Sequence, residues 1–109
     1  MPIRILLADD STLYRETLRR SLQSCPELQV VAEARSGFEA VRLAGQHHPD
    51  LAILDISGMA PLNGIDAIRE ILRVSPETAV LMLSIHADPR YVIRALQAGA
   101  LGYVLKDCE

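Results

Sequence analysis

Ile3-Arg4-Ile5-Leu6-Leu7-Ala8-Asp9-Asp10 is the stretch that decides the fold. A run that is apolar apart from Arg4 ends abruptly on two carboxylates. So continuous a run reads as a strand buried on both faces, as in a parallel sheet, because a half-solvated antiparallel strand would alternate polar and apolar residues. Similar runs follow at Val30-Val31-Ala32, Leu51-Ala52-Ile53-Leu54, Ala79-Val80-Leu81-Met82-Leu83 and Tyr103-Val104-Leu105. Helical periods lie between them. Tyr14, Leu18 and Leu22 follow Ser11, an N-cap residue type; Phe38, Val41 and Ala44 follow Ser36-Gly37. Ile65, Ile68 and Leu72 follow Asn63-Gly64, and Val92 and Leu96 follow Asp88-Pro89, with Gly99 as the stop. The alternation of strand and helix, closed by a fifth strand, predicts an α/β sandwich with right-handed crossovers.

The 109 residues suit one domain, spanning 1–109. Half are hydrophobic, enough for a core without disulfides. With no Trp and few aromatic residues, that core is expected from Leu, Ile, Val and Ala. A net charge of -3 without a basic run argues against nucleic-acid binding by this surface. No stretch approaches the ~20 apolar residues of a membrane span, and Arg4 interrupts the only signal-like start. Cys25 and Cys108 lack metal-ligand spacing, and free thiols in a reducing cytoplasm are the expected state.

Chemistry in such a sheet collects at the carboxyl ends of the strands. Asp9 and Asp10 follow the first run, Asp55 the third, Ser84 the fourth and Lys106 the fifth. Carboxylates gathered there repel one another unless a cation joins them, and oxygen ligands favour a hard ion such as Mg2+. A carboxylate can attack phosphorus to form an acyl phosphate, while an ammonium and a hydroxyl hold the phosphoryl oxygens. Taken singly, each residue has a plainer reading. An Asp-Asp pair is commonly a turn and helix cap, Asp55 a loop carboxylate, and Ser84 a backbone-bonding hydroxyl. Lys106 alone would be a solvated strand end, and Tyr103 a packed aromatic. Their joint occurrence at successive strand ends is what favours the chemical reading.

Leu7-Ala8-Asp9-Asp10, Leu54-Asp55-Ile56, Leu83-Ser84 and Gly102-Tyr103-Val104-Leu105-Lys106-Asp107 resemble the motifs of response-regulator receiver domains. Val30-Val31-Ala32-Glu33-Ala34 and Leu96-Gln97-Ala98-Gly99-Ala100 are similar to the NarL/LuxR-type subfamily. The resemblance implies a flavodoxin-like (CheY-like) doubly wound five-stranded parallel sheet of order 2-1-3-4-5. It implies a cytoplasmic signalling switch, not an enzyme, that takes a phosphoryl group from a sensor histidine kinase. Asp55 would be the phosphoacceptor and Asp10 a direct Mg2+ ligand, with Asp9 reaching the ion through water. The Ser57 backbone carbonyl would be a further ligand, Lys106 the phosphoryl-contacting lysine, Ser84 the switch hydroxyl and Tyr103 the switch aromatic. The resemblance further implies control of the protein's own C-terminal helix-turn-helix DNA-binding domain, hence transcription, and allows a homodimer. His86 and Ser57 stand where the family tunes hydrolysis of the acyl phosphate. His47-His48 before Pro49, and Arg19-Arg20, read as solvated.

Two departures stand out. After Asp55 the family runs Met-Pro-Gly-Met-Asp-Gly, whereas Ser57-Gly58-Met59-Ala60-Pro61-Leu62-Asn63-Gly64 brings the helix-opening Gly one residue late. A fifth helix is also missing before Glu109, so one sheet face should be covered by the first helix alone, leaving an associating apolar patch and suggesting a piece of a longer regulator. Two rival functions compete. A haloacid-dehalogenase-like phosphohydrolase would need an acid/base Asp where Ser57 stands. A phosphorylation-independent interaction module is kept open by the altered loop. Ala8-Asp9-Asp10 replaces the glycine fingerprint that a dinucleotide site requires.

Overall fold

The computed structural model describes residues 2–55, 64–84 and 89–105. They form β1 (Ile3–Ala8), α1 (Thr12–Gln23), β2 (Leu28–Ala34), α2 (Gly37–His47) and β3 (Leu51–Asp55), followed by α3 (Gly64–Val74), β4 (Ala79–Ser84), α4 (Pro89–Ala98) and β5 (Gly102–Leu105). The strands pair in parallel in the order β2-β1-β3-β4-β5, the expected doubly wound sheet. Between β1 and β2 the register slips by one residue at Ile5/Leu6, where Val31 is the extra residue on the edge strand.

Caps written in the sequence set the helix ends. The Ser11 hydroxyl accepts from the Tyr14 N–H at 3.2 Å, opening α1. At α2 the Ser36 hydroxyl accepts from the Glu39 N–H at 3.1 Å, while the Glu39 carboxylate reaches back to the Arg35 N–H at 2.7 Å. This is a capping box moved one residue outward. At the end of α4 the Gly99 N–H donates to the Leu96 carbonyl and the Ala100 N–H to the Ala95 carbonyl, the paired bonds of a Schellman ending.

Two layers of core flank the sheet. On one face Leu6, Ala8, Ala52, Leu54, Val80 and Met82 meet Ala40 and Ala44 of α2, Ala67, Ile68 and Ile71 of α3 and Ala95 of α4. Small residues on α2 let that helix lie close to the strands. On the other face Ile5, Leu7 and Ile53 pack under Leu18 and Leu22 of α1. Leu81 and Leu83 are only partly buried there, and Val104, which pairs with Leu83, is exposed. Among the described residues α1 is the helix on this face, as the sequence led us to expect.

Three expectations need correcting. Phe38 is 59% exposed and Leu96 47% exposed, because Ala40/Ala44 and Ala95 take the inward positions of their helices. Methionine joins the aliphatic core, since Met82 is fully buried. His47, read as solvated, is the last residue of α2 and half-buried. His48 follows it with φ +45°, and their carbonyls accept from the Arg4 guanidinium at 2.7 and 3.2 Å.

Candidate functional site

Register places the acidic residues. Ala8 pairs with Leu54, so Asp9 and Asp55 stand side by side at the carboxyl ends of the central strands β1 and β3. Both are buried, at 4% and 3% exposure. The Asp9 N–H donates to the Ala34 carbonyl of β2 at 3.0 Å, and its Oδ1 accepts from the Ser11 N–H at 2.9 Å. The carboxylate is therefore part of the turn that leads into α1. Asp10, the next residue, is exposed.

The outer strands bring Ser84 and the end of β5 to the same edge. Asp55 pairs with Leu83, so Ser84 closes β4 one step beyond. Ser84 in turn pairs with Leu105, which Lys106 follows in the chain. Tyr103 lies within β5, opposite Met82. The side chains of Ser84 and Tyr103, all of Ser57, His86 and Lys106, and the lengthened loop after Asp55 lie outside the described residues.

Two buried carboxylates on neighbouring strands, with a third in the next residue, form an all-oxygen donor set of the kind a hard divalent cation takes. That donor chemistry fits Mg2+. Among the described residues, however, the acids do not already close into a metal-holding cluster.

Residues that the sequence reading passed over surround this turn. Arg15 of α1 is buried, at 8% exposure. Its Nη1 donates to the Asp9 carbonyl at 2.7 Å and its Nε to Glu33 Oε1 at 3.0 Å. Arg19, expected to be solvated, pairs through Nε with Glu33 Oε2 at 3.2 Å. A signal was present. Arg15, Leu18 and Leu22 share one helix face, so a charge sat on the apolar side of α1.

A doubly wound parallel sheet with buried aspartates at the ends of its central strands defines the class. The chain belongs to the response regulator receiver domain family, whose pattern it matches over residues 5–109. It is 41% identical over 107 residues to the transcriptional regulatory protein DegU of Brevibacillus brevis, covering 98% of this chain and 45% of that protein. The signal receiver domain of the response regulator NarL from Mycobacterium tuberculosis superposes with a TM-score of 0.91 at 37% identity, covering 99% of this chain and 86% of that one. A complex of CheX and CheY with BeF3 and Mg2+ from Borrelia burgdorferi matches with a TM-score of 0.90 at 26% identity, covering 100% of this chain and 81% of that one. The resemblance to NarL/LuxR-type regulators of two-component systems is thereby established. The chain spans about half the length of the curated relatives it matches. No helix among the described residues is long and apolar enough to cross a membrane.

Proposed function

We propose that Asp55 accepts a phosphoryl group from the histidine of a sensor kinase. An Asp55 oxygen bonds to phosphorus as the P–N bond breaks, and the imidazole leaves with the bonding electron pair. The observation that carries this reading is the pair of buried carboxylates, Asp9 and Asp55, at adjacent strand ends. Burial beside Asp9 disfavours two bare negative charges, which suits a site built to share a cation. Asp9, Asp10, Asp55 and the Ser57 carbonyl would hold Mg2+, the ion bound in the Borrelia complex. When bound, Mg2+ neutralises charge on the transferring group. Lys106 holds one phosphoryl oxygen and Ser84 donates to another.

Phosphorylation replaces the single negative charge of the Asp55 carboxylate with the roughly two of an acyl phosphate, a local change of charge and shape that biases a two-state surface. Ser84 moving toward the phosphoryl group, and Tyr103 turning inward behind it, would carry that change outward. The chain acts as a cytoplasmic switch and not as an enzyme on a separate substrate. In the whole protein it controls a C-terminal helix-turn-helix DNA-binding domain beyond residue 109, in keeping with relatives that are transcriptional regulators.

The test is intact mass after incubation with Mg2+ and a small acyl-phosphate donor. One added phosphate, lost in Asp55→Asn and on chelation, is expected. A folded protein that gains no phosphate and binds no beryllofluoride would sink the switch and leave an interaction module.

A further inference from the structure

A guanidinium in the apolar face of a helix is costly unless its charge and its donors are matched. Arg15 occupies such a place, and its partners join three elements. From α1 it donates to the Asp9 carbonyl at the end of β1 and to the Glu33 carboxylate on β2. Arg19 occupies the second oxygen of Glu33, so that carboxylate is held from two sides.

The carbonyl Arg15 grips belongs to the peptide joining Asp9 to Asp10. That peptide is a rigid plane, so fixing its oxygen fixes the direction in which Asp10 leaves the strand end. On the far side of the same turn, Asp9 Oδ1 holds the Ser11 N–H. The turn is thus clamped at both ends, with a positive charge one peptide away from the acidic pair. Neither Arg15 nor Glu33 reaches the reacting atoms in the proposed reaction.

We infer that Arg15, oriented by Glu33, is a positioning residue for divalent-cation binding: it sets the Asp9–Asp10 peptide so that the Asp10 carboxylate is presented to the ion. This rests on the Mg2+ reading above. Lysine could keep the charge at this place, but a single ammonium lacks the fixed fork that spans a carbonyl and a carboxylate.

The experiment is calorimetric titration of the full chain with MgCl2, alongside the amide 15N shift of Asp10 without metal. Arg15→Lys is expected to weaken Mg2+ binding about tenfold, at the low end for partners that orient metal ligands. Glu33→Gln should weaken it less, in the same direction, and both should move the Asp10 amide signal. Arg73→Gln, an exposed control on α3, should do neither. Phosphate incorporation by Arg15→Lys should return at saturating Mg2+. A merely structural role would lower the unfolding midpoint and leave the affinity of the folded protein unchanged. If Arg15→Lys fails to fold, Glu33→Gln decides. Wild-type affinity in the folded variants overturns the positioning role alone; absence of Mg2+ binding by the wild type overturns it together with the metal reading.

Discussion

Two glycine-to-alanine substitutions should move stability in opposite directions. Gly99 ends α4 with φ +118°, beyond the left-handed basin at about +50 to +70° that other residues visit. Holding alanine there costs roughly 1–3 kcal/mol in backbone strain. The added Cβ would also overlap Leu72 Cδ1, with Leu72 Cγ at 3.9 Å and Ile68 Cγ2 at 4.0 Å behind it. Leu72 must therefore leave its rotamer, at about 0.5–1.5 kcal/mol. Against this, alanine restricts the unfolded chain, which returns about 0.4–1 kcal/mol. The net expectation for Gly99→Ala is a loss of about 0.5–4 kcal/mol, centred near 2. Gly45 lies inside α2, where a Cβ would meet Val74 Cβ at 3.6 Å and Cγ2 at 3.7 Å, which are ordinary contacts. Gly45→Ala should gain about 0.5–1 kcal/mol from helix propensity. Urea unfolding followed by circular dichroism separates the two. With a slope of about 2 kcal/mol per molar, the Gly99 midpoint falls by about 1 M and the Gly45 midpoint rises by a few tenths, at unchanged slope. A neutral or stabilising Gly99→Ala would refute the claim that this turn needs glycine. The turn matters for the site because Leu101 N–H docks on the Val80 carbonyl at 2.7 Å, starting the strand that leads to Lys106.

Residues 1–109 on their own should elute from a sizing column above the 12.0 kDa monomer, through the strip of Leu81, Leu83 and Val104 that α1 leaves open. Val104→Lys should shift the protein toward monomer, and a monomeric, cooperatively unfolding parent would contradict this. Glu27 is held below its ordinary value by the Cys25 thiol, whose Sγ lies 2.9 Å from Oε1, and secondly by a backbone bond. Its folded-state value is depressed, so its small contribution to stability is present above the unfolded value and is lost as pH falls through the folded one. Cys25→Ala should raise the Glu27 titration seen in its carboxyl 13C shift, and an unchanged curve would show that the thiol is not the cause.

The fold was legible because burial on both faces leaves no room for alternation. Ile5 to Ala8 are all buried, and the continuous apolar run that announces a parallel strand is the direct chemical consequence. The strand ends were legible for the same reason: where the apolar run stops, the polar residue that follows stands at the sheet edge. Asp9 and Asp55 fell into place through the register of β1 and β3 without further information. Orientation within helices was less legible. A helical period fixes which residues share a face, but several faces of α2 and α4 carry apolar residues. Close approach to the sheet selected the alanine-rich face over the one bearing Phe38 or Leu96.

Arg15 was missed for a deeper reason. Charge ordinarily signals solvent, and Arg15 differs from Arg19 and Arg20 in sequence only by its place on the Leu18/Leu22 face of α1. What made it tolerable in the interior is Glu33, eighteen residues away on another element, together with a backbone carbonyl that no sequence pattern displays. Composition and period report what a residue prefers on average. A buried ion pair exists because two specific partners and a carbonyl happen to converge, and that convergence is a property of the assembled fold. Here it converges on the peptide that carries the acidic pair. The part of the site least visible in the sequence is therefore the part that sets its geometry, and a search confined to titratable residues at strand ends would recover the carboxylates without the arginine that aims them.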